Sequence, residues 1–371
     1  MKNKGILIVI VIGIILITWF IFFGVENKKS SIDSKSPIKI GWIGPLTGEV
    51  AEIGKDALAS AQIATDEVNK EGGINGRMLQ LVIEDGKCNP KDGANAGNKL
   101  MNIDNVSVIM PTCSPELLSI AQQANEKRTI LLSSCASAPK ITESGDYVFR
   151  TYPSDAFQGT FAAEYVYTTL GVKKAAVLAI QNDWGVGLQD AFSKKFKELG
   201  GEVVFLEMYQ PNSKDFRTQL TKIKESKPDM LYFPGFTQST VIALKEVKNI
   251  GLTIPILGGD AWDDTTIHKE AAAEGIMYTL PKANYHTDWS NKMKAKNAHT
   301  TTCAPAAYDN IKILSGIMKK VGTDGEKIKN ELYKIKNYSG VNGSITLDQN
   351  GDLARAEYDI KIVKNGVAQV K

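Results

Sequence analysis

Histidine is scarce in this chain. His268, His286 and His299 are the only three in 371 residues. None has metal-ligand spacing to another, which argues against a histidine-built zinc centre. Four cysteines are too few for a disulfide scaffold, although one bridge remains possible. A surplus of either charge is also missing, because 44 Lys+Arg face 41 Asp+Glu and leave +3. A dedicated nucleic-acid binder replaces many phosphate counterions and needs a far more basic surface. The familiar catalytic signatures are absent as well. No G-x-G-x-x-G follows a strand, no G-x-S-x-G occurs, and His268-Lys269-Glu270 does not make H-E-x-x-H. Gly48 to Lys55 approaches a phosphate loop, but its spacing is one residue too long. Asp56 also stands where Ser or Thr must hold magnesium. Cys135 has no histidine near it in sequence to activate it as a nucleophile. Nothing here points to an enzyme, a metal or a cofactor.

What is present is ordinary globular composition, 43% hydrophobic and 23% charged, in a length that suggests two or three domains. Lys2 and Lys4 precede an apolar run from Ile6 to Phe23, broken only by Gly13 and Thr18. As a helix the run spans about 27 Å, close to the hydrocarbon core of a bilayer. Residues 5–24 are therefore expected to be a membrane anchor or uncleaved signal. Residues 25–36, rich in Ser and Lys, follow as an exposed tether.

Beyond residue 37 the pattern alternates strand and helix. Strands are expected at 38–43, 79–83, 106–110 and 129–132, with helices at 55–70, 90–102 and 115–127 between them. The pattern restarts with a helix over 155–170 and strands at 175–180, 202–207, 230–233 and 254–257. Helices over 304–320 and 327–335 follow, then a hairpin pairing 344–347 with 358–363 around Asp348-Gln349-Asn350-Gly351. Such alternation means parallel sheets built from right-handed βαβ units, arranged as two α/β lobes with a cleft between them. Ligands of open parallel sheets bind beyond the carboxyl ends of the strands.

The loops at those ends favour binding over catalysis. Ser114-Pro115-Glu116 reads as a serine N-cap with proline at the first helical position, a ready anion site. The small residues of Ser133-Ser134-Cys135-Ala136-Ser137 let a ligand approach the main chain. Trp184 and Phe236 follow second-lobe strands and could close over a bound molecule. Asp260, after Gly258-Gly259, aims a carboxylate at the cleft. An anion site on one lobe and a carboxylate on the other suit a zwitterion.

Several motifs in this order carry a resemblance: Ile40-Gly41-Trp42-Ile43-Gly44-Pro45-Leu46-Thr47-Gly48, Gly72-Gly73-Ile74-Asn75-Gly76-Arg77, Cys113-Ser114, Ala136-Ser137-Ala138-Pro139, Asp183-Trp184-Gly185 and Ala307-Tyr308-Asp309. Together they are similar to the type I periplasmic binding proteins of the branched-chain amino-acid transport family, over residues 37–371. The resemblance implies two Rossmann-like lobes joined by three crossovers, with 37–153 plus 283–340 in one and 154–282 plus 341–371 in the other. It implies a monomeric, extracytoplasmic protein that closes on a small amino acid or related polar solute and delivers it to an ABC permease. A ligand-sensing ectodomain, or a binder of amides or urea, is the alternative. The ligand carboxylate would meet Ser114 and groups at Cys135 and Ser137, and the ammonium would meet Asp260, where relatives usually carry Glu. Trp184, Phe236 and Tyr308 would flank the ligand, and Ile53 stands where a tryptophan lines the leucine pocket. Cys88 and Cys113 match the family's disulfide pair, which leaves Cys303 without an assigned partner.

Overall fold

The computed structural model describes residues 36–283 and 285–371. The expected anchor at 5–24 lies outside the described residues. Among those described, no helix is long and apolar enough to cross a membrane.

The first lobe alternates β1 (Ile38–Gly44), α1 (Ala51–Lys70), β2 (Leu79–Asp85), α2 (Pro90–Asn102), β3 (Val108–Pro111), α3 (Ser114–Lys127), β4 (Ile130–Ser133) and β5 (Val148–Arg150). Its sheet has the order β2-β1-β3-β4-β5, with every pairing parallel. The inner strands β3 and β4 are buried along their whole length. That is why they read as unbroken apolar runs rather than as alternation. Helix α1 buries Ile53, Ala57, Ala61, Ala64 and Val68, one stripe at helical spacing. It stops at Gly72-Gly73, both with positive φ, and a Cβ on Gly73 would lie 2.1 Å from the Arg77 carbonyl oxygen. Only glycine fits there.

The second lobe contains α4 (Asp155–Glu164), β6 (Lys174–Ile180), α5 (Asp183–Glu198), β7 (Glu202–Tyr209), α6 (Arg217–Glu225) and β8 (Met230–Tyr232). It continues with α7 (Thr237–Asn249), β9 (Ile256–Gly258), the short α8 (Thr265–His268) and β10 (Met277–Pro281). The chain then returns to the first lobe through α9 (Thr287–Ala295), α10 (Ala304–Val321), α11 (Gly325–Leu332) and the pair β11 (Tyr338–Gly340) and β12 (Gly343–Ile345). It ends in the second lobe with β13 (Tyr358–Lys364) and β14 (Val367–Val370), giving the sheet β14-β13-β10-β9-β8-β6-β7. Only β13 runs against the other strands, pairing antiparallel with both β10 and β14. The helix expected over 155–170 is α-helical to Glu164 and closes with a π turn at Tyr165–Thr169.

Two expectations for the C-terminal segment need correction. The hairpin of 344–347 with 358–363 does not form: β12 pairs with β11, and β13 pairs with β10 and β14. Residues 341–353 also pack on the first lobe, not the second. The Val341 N–H donates to the Asp309 carboxylate, and the Leu347 N–H to the Ile335 carbonyl. The chain therefore crosses for the third time after residue 353. An ion pair fixes this arrangement. Arg150, fully buried, donates from Nε to Asp352 Oδ1 at 2.7 Å and from Nη2 to Oδ2 at 2.8 Å. Its Nη1 donates to the Ala138 carbonyl at 2.9 Å. The sequence signal at 348–351 was a genuine turn, but its role is to present Asp352 to Arg150.

Removing one member of a buried pair strands the other charge. Asp352→Ala is expected to lower stability by about 3–5 kcal/mol in urea unfolding at neutral pH. A loss below about 1 kcal/mol would mean that Arg150 finds other acceptors, against this account.

Candidate functional site

Both lobes share a strand order in which the first strand lies between the second and third, so each has a switch point where successive connections leave in opposite directions. In the first lobe it lies between β1 and β3, and in the second between β6 and β8. The loops beyond these strands meet in one cavity. Its wall includes Pro45, Val50, Ile53, Thr112, Ser114 and Cys135 from one lobe, and Trp184, Phe236, Asp260 and Ala261 from the other.

Ser114 opens α3, but Cys113 is its N-cap and proline is at the second helical position, one residue from the sequence expectation. The cap is closed by Glu116, whose buried carboxyl accepts from the N–H groups of Cys113 and Cys88, each at 2.9 Å. Burial pushes Glu116 up to about 7, against the lowering effect of those bonds. Ser114 Oγ accepts from the N–H groups of Ser137 at 3.0 Å and Ala138 at 3.1 Å. Among the described residues no acceptor takes its own hydrogen, which leaves that hydrogen to donate. The Cys135 N–H is already committed to Ser133 Oγ at 3.2 Å. Cys88 and Cys113 are joined, with Cα atoms 5.3 Å apart.

On the second lobe, the Asn182 side chain caps α5 by accepting the Gly185 N–H at 2.8 Å, which seats Trp184 in the first turn. A Cβ on Gly185 would come within 2.0 Å of the Ile180 carbonyl oxygen, so the motif needs its glycine. Trp184 stacks on Phe236 with ring centroids 5.2 Å apart. Asp260 follows β9 and is 4% exposed. Its carboxylate accepts from the Tyr152 hydroxyl at 2.6 Å and from Gln158 Nε2 at 3.2 Å. Among the described residues no cation pairs with it. Burial raises its pKa above the ordinary value, and the bonds from Tyr152, Gln158, its own backbone N–H and Trp184 only partly oppose that. Behind it lies a second buried acid, Asp155, pushed well up by its own burial and by the Asp260 charge.

The structure thus brings Ile53, Ser114, Cys135, Trp184, Phe236 and Asp260 to one cavity. Ser137 is buried beside it and reaches it through its N–H bond to Ser114. Tyr308 is not brought there. It lies on α10, and its hydroxyl donates to Glu67 of α1, so the aromatic expected to flank the ligand instead ties two helices of one lobe. Cys303 has a partner after all, since it is bonded to Cys135, their Cα atoms 5.1 Å apart. Sequence reasoning also missed Thr112 and Thr302. Thr112 ends β3's run into the cavity, and its buried hydroxyl has no hydrogen-bond partner among the described residues. Only its position one residue past a strand end could have revealed it.

The lobes touch across the cleft mouth. Glu49 accepts from the Asn212 N–H and from Ser239 Oγ at 2.7 Å, and Glu52 accepts from the Thr265 N–H at 3.1 Å. Lys140 pairs with Asp183 at 3.2 Å. Glu52, Asp56 and His299 place their ligand-type atoms within 4.8 Å of one another. Protein contacts account for this group, with Glu52 on Thr265 and Asp56 Oδ1 on the His299 N–H at 2.9 Å.

The raised pKa of Asp260 sets the sign of a pH effect. A buried acid binds its proton more tightly folded than unfolded. Above the unfolded value near 3.8 its ionisation therefore costs stability, increasingly until pH passes the folded value. Asp260→Asn should raise the melting temperature of the ligand-free protein at pH 7 and have no such effect at pH 3. A variant that melts lower at pH 7 would contradict the burial argument.

The comparisons with known proteins agree with this geometry. Residues 37–366 match the family model described as periplasmic binding protein. A Leucine-, isoleucine-, valine-, threonine-, and alanine-binding protein of Pseudomonas aeruginosa is 29% identical over 87% of this chain and 89% of its own length. The Leu/Ile/Val-binding protein BraC3 of Rhizobium johnstonii is 30% identical over 87% and 90%. The crystal structure of the leucine binding protein LivK from Thermotoga maritima superposes with a TM-score of 0.83 at 28% identity, covering 90% of this chain and 97% of that one. LivJ from Streptococcus pneumoniae, in complex with isoleucine, gives 0.82 at 26%, covering 90% and 98%. With the lobes, the switch-point cavity and these matches together, the chain belongs to the periplasmic binding protein family and has the type I fold of parallel-sheet lobes.

Proposed function

We propose that this protein is the extracytoplasmic substrate-binding component of an ABC importer and captures a small aliphatic amino acid between its lobes. The observation that carries the reading is Asp260, a buried carboxylate at the cavity wall held only by neutral donors. An ammonium group supplies the missing counter-charge, and a charge-assisted bond in a dry site is stronger than a neutral one. Opposite it, the hydroxyls of Ser114 and Thr112 and the first turn of α3 receive the carboxylate. Val50, Ile53 and the stacked Trp184–Phe236 pair form apolar walls for the side chain. The names of the relatives, which include binders of leucine, isoleucine, valine, threonine and alanine, support the same class of ligand.

A ligand that touches both lobes stabilises the closed arrangement by the difference in its affinity for closed and open forms. The closed monomer then docks on its permease in the membrane. Segment 5–24 is the signal or anchor that keeps it on the outer side.

A thermal-shift screen of amino acids, amides and urea tests the class of ligand, because a ligand that prefers the native state raises the melting temperature. Leucine, valine or alanine is expected to do so. Calorimetry should then show Asp260→Ala weakening that amino acid by about 2–5 kcal/mol. A shift with urea or amides alone, or unchanged affinity in the variant, would contradict the reading.

A further inference from the structure

We propose that the Cys135–Cys303 disulfide is a positioning element of the binding site. It couples the anion-side loop to the Asp260 network, so that breaking it lowers ligand affinity and bound ligand protects it from reduction. The inference rests on the amino-acid reading of the cavity.

Both cysteines line the cavity. Cys135 belongs to the loop after β4, two residues before Ser137, whose N–H holds Ser114 Oγ. Cys303 is the N-cap residue of α10 and follows Thr302. Thr302 Oγ1 lies 2.5 Å from the Tyr152 hydroxyl, which in turn donates to Asp260 at 2.6 Å. One disulfide, one peptide unit and two hydrogen bonds therefore connect the loop beside Ser114 to the acid that faces it. Among the described residues no hydrogen bond joins residues 133–138 to 301–303, so this bond is their direct link. It acts beside the Thr151 N–H to Ser133 carbonyl bond at 3.1 Å and the Asp155 N–H to Ser137 carbonyl bond at 2.8 Å, which tie the same loop to the segment carrying Tyr152. Cys88 and Cys113 line the same cavity, so what sets this bridge apart is its link through Thr302 and Tyr152 to Asp260.

The bond is also open to chemistry from one side. Cys303 is fully buried, whereas Cys135 is only half-buried. The thiolate of an external dithiol can attack Cys135 Sγ, and Cys303 leaves as a thiolate and takes up a proton. The reagent's second thiol then attacks the mixed disulfide and releases Cys135 as a thiol. Two electrons pass to the protein, and the dithiol ends as a disulfide. By linkage, if reduction weakens the ligand by some factor, saturating ligand must disfavour reduction by the same factor.

The test uses the full chain and L-leucine, L-valine and L-alanine as probes. Calorimetry on the oxidised protein is compared with the Cys135→Ala/Cys303→Ala double variant, which keeps the Cys88–Cys113 bridge. The variant is expected to bind the preferred amino acid at least tenfold more weakly. Wild-type affinity in a folded variant would overturn the proposal. Should the variant not fold, the wild-type protein answers by quench alkylation of Cys135 and Cys303 in dithiol redox buffers. Saturating amino acid should shift the equilibrium tenfold towards the disulfide, about 30 mV for a two-electron couple. An unmoved midpoint would overturn the proposal. A purely structural bridge would lower the melting temperature and leave both readouts unchanged. If no probe binds the oxidised wild-type protein, the amino-acid reading itself has failed, and that control separates the two failures.

Discussion

A carboxylate taken out of water and given only neutral hydrogen-bond donors for company is expensive to keep ionised. Asp260 is in that position, bonded to the segment that crosses between the lobes. Tyr152, one of its donors, lies in the first crossover between lobes, and Gln158 lies on the helix that follows. The acid is thus held by the hinge region itself. A positive group arriving in the cleft relieves the acid and engages the hinge's own hydrogen bonds in the same event, which gives closure a reason to depend on ligand charge.

The remainder of the site is arranged around that constraint. Hydroxyls and a helix start oppose the acid, and apolar side chains separate the two ends. Glu49 and Glu52 reach from the start of α1 to hydroxyls and backbone N–H groups of the second lobe. The Glu49–Ser239 contact is buried and the Glu52 contacts are partly exposed; hydrogen bonds to a charged group are worth about 1.5–3 kcal/mol each. A closure built from only a few such contacts can reverse.

Much of this was legible in the sequence because it rests on local signals. The buried inner strands announce themselves as apolar runs, and the loops that follow them carry Ser114, Trp184 and Asp260 within a few residues of a strand end. What the sequence hid depends on long-range pairing. The Arg150–Asp352 pair joins residues 202 positions apart, and nothing near either residue marks it, so local patterning sets the third crossover too early. Cys135 and Cys303 are 168 residues apart and meet only because α10 returns to the first lobe. Tyr308 misled because a motif match fixes the residue but not its side-chain direction; one turn of α10 carries the ring to Glu67 and away from the cleft. Thr112 carries no motif and is visible only as an unpaired hydroxyl in a wall.

The most direct measurement is a crystal structure of the protein with its tightest-binding amino acid. The account requires the ligand nitrogen about 2.7–3.1 Å from an Asp260 carboxylate oxygen and the ligand carboxylate on the Ser114 side. A nitrogen bound elsewhere, with Asp260 still held only by neutral donors of the protein, would contradict it.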